Sequence, residues 1–186
     1  MLFIALALAA QVATPKGPGE EETPAEVAVD DSTAPAEQKE QGKLFSGTWR
    51  CDGKAATELA PDVATRVTLT FKNDLGGRWL SVKIDEAKSK QNPKALTSSE
   101  LWGYSSALGG WVRNGADSQG GFYAGTSTGW VGDRFWWTTD SARNGKRMKT
   151  KDTITKVSDK ELTFERAIEA AADGQMRVIY EGTCKK

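Results

Sequence analysis

Between Arg66 and Phe71 the chain reads RVTLTF, which places Val67, Leu69 and Phe71 on one face of an extended segment and Arg66, Thr68 and Thr70 on the other. Alternation of this kind recurs in short runs after residue 43, whereas the 3.6-residue period of an amphipathic helix is nearly absent. The runs predict strands near residues 46–53, 63–73, 77–86, 98–105, 110–114, 120–128, 133–140, 147–157, 160–168 and 175–184. Turn chemistry separates them: Asn73-Asp74, Leu108-Gly109-Gly110, Gly129 to Asp133, Arg143-Asn144-Gly145, Ser158-Asp159 and Ala172-Asp173-Gly174. Asn144-Gly145 and Asp173-Gly174 are the strongest hairpin signals. Strands linked in this way form an antiparallel meander, and a sheet that long curls and closes, which removes its exposed edges. The predicted fold is all-β, a closed antiparallel up-and-down barrel of about ten strands.

The polar pattern changes ahead of the strands. Residues 14–43 combine Pro, Gly, Ala and eight acids against three bases, with no aromatic residue. Such a segment buries too little apolar surface to offset its ordering entropy, so it reads as a disordered acidic tether. Before it, LFIALALAA at residues 2–10 is apolar and ends in the small-residue pattern Ala7-Leu8-Ala9, which a signal peptidase accepts, although no basic residue precedes it. The run is too short to span a bilayer. The expected organisation is a signal peptide over residues 1–13, the tether over 14–43 and one barrel domain over 44–186, exported to the periplasm or the medium.

Composition narrows the chemistry. Lys plus Arg and Asp plus Glu both number 25, so the net charge is zero and the basic excess of a nucleic-acid footprint is missing. There is no histidine, which removes His-based catalytic triads, His-ligated zinc and proximal-His haem. Two cysteines alone do not make a structural zinc site. No cofactor and no metal is therefore expected.

The two cysteines, Cys51 and Cys184, read as one disulfide in an exported chain. In a closed meander with an even number of strands the first and last strands are antiparallel neighbours, which brings their Cα atoms within bonding range of a disulfide. If Cys51 faces Cys184, Trp49 lies opposite Lys186. Gly47, Trp49 and Cys51 then share a face with Met176, Val178, Tyr180, Gly182 and Cys184. That face is mostly apolar and is expected to point inward, with Trp49 plugging the barrel floor beneath the terminal lysine. The stretch FSGTW entering the first strand, with a basic residue over the tryptophan, resembles the calycin superfamily of lipocalins, fatty-acid-binding proteins and avidins. LGGRWL, ELWGY, GWVGD and TKVSDKELTFE are similar to a family of secreted bacterial lipocalin-like domains, over residues 44–186. A ten-strand count leans towards fatty-acid-binding-like or nitrobindin-like barrels. The haem-binding members of the latter rely on histidine, so haem is not carried over.

A barrel of this size is either filled by side chains or holds one small ligand. Glu100, Trp102 and Tyr104 share one face of the fourth strand; Trp79, Ser81, Lys83 and Asp85 share one face of the third. A functional reading places Trp79, Trp102, Tyr104 and Trp137 inside, with Glu100, Arg113 and Tyr180 as polar anchors, in the manner of pockets with apolar walls and a few fixed polar groups. The alternative makes the tryptophans packing residues and lets Glu100 meet water. Trp137 is assigned inward because it is in phase with Phe135, which leaves Trp136 outward.

The glycine-rich stretch GGFYAGTSTGWVGD lacks the helix that a phosphate loop requires, and turns explain it better. RNGKRMKTK, residues 143–151, is a basic hairpin that either contacts an anionic surface or is a solvated turn. The expected function is an exported, monomeric binding module holding a small hydrophobic or aromatic ligand, without nucleic acid and without a membrane span. A second reading is an envelope interaction or inhibitor protein with a filled barrel and an exposed aromatic patch around Trp111 or Trp130. A third is an enzyme using Glu100 with Tyr104 as an acid–base pair; no catalytic residue is assigned.

Overall fold

The structure is a computed structural model that describes residues 35–56, 63–90, 92–93, 95–169 and 174–186. The expected signal peptide and most of the expected tether lie outside the described residues. A short helix, α1 (Ala36–Gly42), leads into β1 (Gly47–Ala55), β2 (Val63–Asp74), β3 (Trp79–Glu86), β4 (Thr97–Ser105), β5 (Gly110–Asp117) and β6 (Phe122–Ser127). A two-residue strand β7 (Trp130–Val131) precedes β8 (Arg134–Arg143), β9 (Lys146–Ser158), β10 (Glu161–Glu169) and β11 (Met176–Lys185). All pairings are antiparallel. β1 to β6 pair in chain order, β6 pairs with β8, β8 to β11 continue in order, and β11 returns to β1. Ten strands thus close into a barrel, while β7 pairs with β8 alone as a flap.

The seam is where the sequence placed it. Cys51 lies directly across from Cys184 in the β1–β11 ladder, and the two are joined by a disulfide with a separation of 133 residues. Closing a loop of that length stabilises the fold by about 4–5 kcal/mol in the chain-entropy treatment. Next to it Trp49 is fully buried, and the Lys186 Nζ stands 4.7 Å from the centre of its ring while donating to the Leu44 carbonyl at 2.8 Å.

Two details of the sequence reading change. Met176 and Val178 do not face inward; they are 44 % and 45 % exposed. In the β10–β11 ladder Arg166 pairs with Tyr180 but Ala167 pairs with Val178, so Ile179 is an extra, bulged residue. A bulge reverses the facing of everything beyond it, and here it turns both Ile179 and Tyr180 towards the interior. The second change concerns residues 36–42, which were expected to belong to the disordered tether and instead form α1. Ala, Glu, Gln and Lys are good helix formers, but seven residues are too few to hold a helix unaided. Docking holds it. Gln38 is buried and its Oε1 accepts from the Tyr104 N–H at 3.0 Å. The Gln41 Oε1 accepts from Trp111 Nε1 at 3.1 Å and from the Trp130 N–H at 3.2 Å, while Trp130 Nε1 donates to the Gln41 carbonyl at 3.2 Å.

The helix delivers Phe45 into the barrel. Its ring stacks on Phe71 and Trp130 and meets Trp102 and Phe135 edge-on, all with centroids 5.4–5.5 Å away. With Trp49, Trp111 and Trp137, each fully buried, these rings fill the half of the barrel nearest the start of β1 and Lys186. Aromatic packing of this density excludes water and buries a large apolar area.

Candidate functional site

Above the aromatic floor the barrel is hollow. A cavity of about 350 Å³ extends from Phe71 and Trp102 to the opposite end, where Ala56, Leu96, Gly121 and Met148 border its mouth. Ligand cavities run from roughly 300 Å³ upward. Its wall is divided by strand. β2 and β3 contribute Val67, Leu69, Val82 and Ile84; β4, β5, β6, β8 and β9 contribute Glu100, Arg113, Tyr123, Thr139 and Thr150. One side is aliphatic and the other carries charge.

The charged side is an ordered network. Glu100, only 4 % exposed, accepts from Trp102 Nε1 at 2.6 Å and from the Tyr123 hydroxyl at 2.8 Å. Arg113 donates through Nη2 to the Thr139 hydroxyl at 2.6 Å and to Asp152 Oδ2 at 2.5 Å, and its Nη1 lies 4.0 Å from Glu100. Its guanidinium sits 4.9 Å from the ring centre of Trp137. Asp152 is fully buried and also accepts from Arg166, Nε at 2.6 Å and Nη2 at 2.8 Å. Two carboxylates and two guanidiniums balance, as buried charge requires. Arg166 is the exception in exposure. Its side chain remains 37 % accessible because it lines the cavity, and its Nη1 makes no hydrogen bond among the described residues.

Electrostatics fix these protonation states. Burial opposes the charge on Asp152, but Arg166 and Arg113 overcome it and hold the carboxyl far below the usual carboxylate range. Burial likewise opposes the charge on Arg166, and Asp152 overrides it and keeps the guanidinium cationic. Burial, reinforced by the Glu100 charge, pushes the Tyr123 phenol well above its ordinary value, so it stays a neutral donor. Burial also raises Tyr180. Near the mouth, burial works against ionisation of Asp117. Hydrogen bonds from the Gly121 N–H, Arg143 and the Gln119 N–H outweigh it and hold the carboxyl below its ordinary value.

Of the residues read from the sequence, the structure brings Glu100, Trp102, Arg113 and Tyr180 to the cavity wall. Trp137 points inward but lies beneath the cavity in the aromatic core. Tyr104 sits on the floor, edge-on to Trp111 with centroids 6.5 Å apart. Trp79 was assigned inside and is outside. Leu80 and Val82, its out-of-phase neighbours, are the buried residues of β3, and the Trp79 indole lies over Gly103 on the outer surface, where the missing side chain makes room. Glu100 and Tyr104 form no pair; the phenol bonded to Glu100 is that of Tyr123. Trp111 is fully buried and Trp130 packs on Phe45 and Phe135, so neither forms the exposed patch of the filled-barrel reading. Asp152, Arg166 and Tyr123 were missed. The signal was present: Asp152 is in phase with Ile154, and Arg166 with Leu162 and Phe164, so a charge stands in each apolar series.

No family model matches the chain, and no curated protein sequence does. Solved structures match in shape. The chain is similar to Rv2717c from M. tuberculosis, with a TM-score of 0.63 and 10% identity, over 82% of this chain and 98% of that one. Two redesigned β-barrels match more loosely. The first, b11L5F_LGL, has a TM-score of 0.42 and 14% identity over 78% of this chain and 94% of that one. The second, mFAP1 bound to DFHBI, has a TM-score of 0.37 and 16% identity over 78% of this chain and 98% of that one. What Rv2717c shares with this chain is the closed antiparallel barrel.

Proposed function

We propose that this chain is an exported binding module that holds a small apolar or aromatic ligand inside its barrel, in the manner of lipocalin-like carriers. The observation that carries the reading is the cavity itself, about 350 Å³ with an aliphatic wall on β2 and β3 and a network of fixed charges opposite. Apolar surface removed from water supplies the affinity, at roughly 25 cal/mol per Å². The Arg166 guanidinium supplies a hydrogen bond that orients the ligand. Because every charge in the network is already paired, a ligand with one polar edge and one apolar face fits better than a free ion. Export is supported by the disulfide and by the apolar stretch at residues 2–10.

The test is saturable binding of anilinonaphthalene sulfonate, an apolar fluorophore, measured alongside native mass spectrometry of the protein from its own host. Leu69→Trp fills the aliphatic side of the cavity from a position that is not deep in the core. The variant is expected to weaken fluorophore binding by roughly tenfold or more while keeping the wild-type melting transition. Equal binding by both proteins would place the fluorophore outside the barrel and overturn the reading.

A further inference from the structure

The basic stretch at residues 143–151 gives the cavity only Arg143, Met148 and Thr150, and the fold gives its remaining cations a definite place. It forms the hairpin between β8 and β9, with Asn144 and Gly145 in left-handed conformation at φ 51° and 73°, as a two-residue hairpin turn demands. This hairpin stands at the open end of the barrel, beside the cavity mouth. Phe122 at the start of β6 pairs across from Ala142 and is 58 % exposed; Met148 on β9 is 37 % exposed, and both border the cavity. Farther along the same rim the β11 bulge turns Met176 and Val178 outward into solvent. Two exposed apolar side chains, Phe122 and Met148, therefore border the mouth, and two more, Met176 and Val178, stand on the outer face at the same end, with Arg143, Lys146, Arg147 and Lys149 on the hairpin between.

Among the described residues the acids on this arc are few. Asp117 is occupied by Arg143, Asp140 sits across from Lys149, and Glu169 ends β10. Lys146 faces Arg143, and Arg147 faces Ala142, so neither has an acid opposite it in the ladder. Exposed apolar residues also occur singly in turns at the closed end, such as Leu75 and Leu108, but none of those borders a cavity. Phenylalanine and methionine projecting between long basic side chains match the boundary of a bilayer, where apolar tips enter the acyl region and ammonium and guanidinium groups meet phosphate. A protein partner would call for a continuous apolar face with a polar rim; here the apolar residues are separated by the mouth and by cations.

We propose that this rim docks on an anionic membrane surface, seating the cavity mouth at headgroup depth so that an apolar ligand passes between lipid and barrel without crossing water. The transfer step rests on the binding function proposed above; the docking does not.

Co-sedimentation of the purified chain with vesicles tests it, comparing phosphatidylcholine alone with phosphatidylcholine containing about a third phosphatidylglycerol, a range in which each basic residue near the surface adds measurably to binding. The wild type is expected to pellet with the anionic vesicles, to be released by high salt, and to stay in solution with the neutral ones. The combined variant Lys146→Glu, Arg147→Glu and Lys149→Glu is expected to lose roughly tenfold or more in vesicle affinity, and Val178→Ser, which lies outside the cavity lining, to lose binding that salt does not explain. Both variants should retain anilinonaphthalene sulfonate binding and the wild-type melting curve, which separates failure of the docking from failure of the cavity. Vesicle binding that is unchanged in the charge-reversed variant, or equal on neutral lipid, overturns the proposal. So does an absence of vesicle binding accompanied by saturable capture of an acidic protein on the same rim.

Discussion

Asp152 offers the sharpest test of how the cavity wall is held. Its carboxylate is inaccessible and joins two guanidiniums, one of them, on Arg113, with only 2 % of its side chain exposed. Replacing Asp152 with Asn keeps the shape and removes the charge, leaving Arg113 buried with Glu100 at 4.0 Å as its remaining anion. Breaking a buried pair from one side costs about 3–5 kcal/mol. The Arg166 arm, 37 % exposed to the cavity, is screened and accounts for the smaller share. With a urea slope of about 2 kcal/mol per M, the midpoint of unfolding at pH 7 should fall by roughly 1.5–2.5 M. The pH dependence supplies an independent handle. The folded carboxyl is held far below the ordinary value of 3.8 that applies to the unfolded chain. Its contribution is therefore fully present above that value and is lost as pH falls towards the depressed folded value, at about 1.4 kcal/mol per pH unit. Wild type and Asp152→Asn should accordingly converge by about 2 kcal/mol between pH 4 and pH 2, in urea titrations with the disulfide intact. A difference between the two that is the same at both pH values would refute the assignment of a charged Asp152 as the centre of the network.

Other consequences can be measured with the same equipment. Replacing Cys51 and Cys184 together with Ser should lower stability by about 3–5 kcal/mol, read as a fall in melting temperature that reductant reproduces in the wild type. Lys186→Ala removes a cation over Trp49 and a hydrogen bond to Leu44, and at an exposed site should cost about 0.5–1 kcal/mol by urea titration. Gly103→Ala puts a methyl group 2.7 Å from the Trp79 indole, which is free to swing into solvent; a cost of about 1–3 kcal/mol and a red-shifted tryptophan emission are expected. Gly53→Ala meets the Glu181 carbonyl, a backbone atom of the seam that cannot swing aside, and should cost more than Gly103→Ala in the same assay.

The strands were legible because only one face of each is buried. Val67, Leu69 and Phe71 alternate with polar residues, and a period of two has one structural meaning over that length. Closure and the seam followed from strand parity and from two cysteines at opposite ends of the chain. The misplacement of Trp79 has a physical cause. Residue size was weighed above phase, yet β3 already held an aliphatic series, Leu80, Val82 and Ile84, and a strand presents one face to the core. The inward facing of Met176 and Val178 was lost to a single bulge, which leaves no mark in the hydrophobic pattern. The helix at residues 36–42 was invisible for a similar reason, since its stability comes from Gln38 and Gln41 reaching polar groups far along the chain. Polar docking carries no periodic apolar signature. Asp152 and Arg166 were legible in principle, as charges in apolar phase, but their partnership needed the register of β9 against β10 and of both against β5.

The position of the charged network follows from what lies on either side of it. Beneath it the aromatic floor, with Phe45, Trp102, Phe135 and Trp137, leaves no water to solvate an ion. Above it the cavity opens to the mouth. A lone arginine at this boundary would stay charged and turn towards water, and a lone aspartate would be neutral, but Arg113 and Asp152 bonded to each other satisfy both and leave Arg166 to face the cavity. The arrangement also explains why the barrel does not fill completely. Extending the aromatic packing upward would bury Arg166 against rings, costing the solvation it now retains through the lumen. The hollow is therefore kept open by the charges that line one side of it. Asp152→Leu combined with Arg113→Met and Arg166→Leu should accordingly give a folded barrel whose cavity has shrunk, because apolar side chains of that size pack across the gap where ions could not.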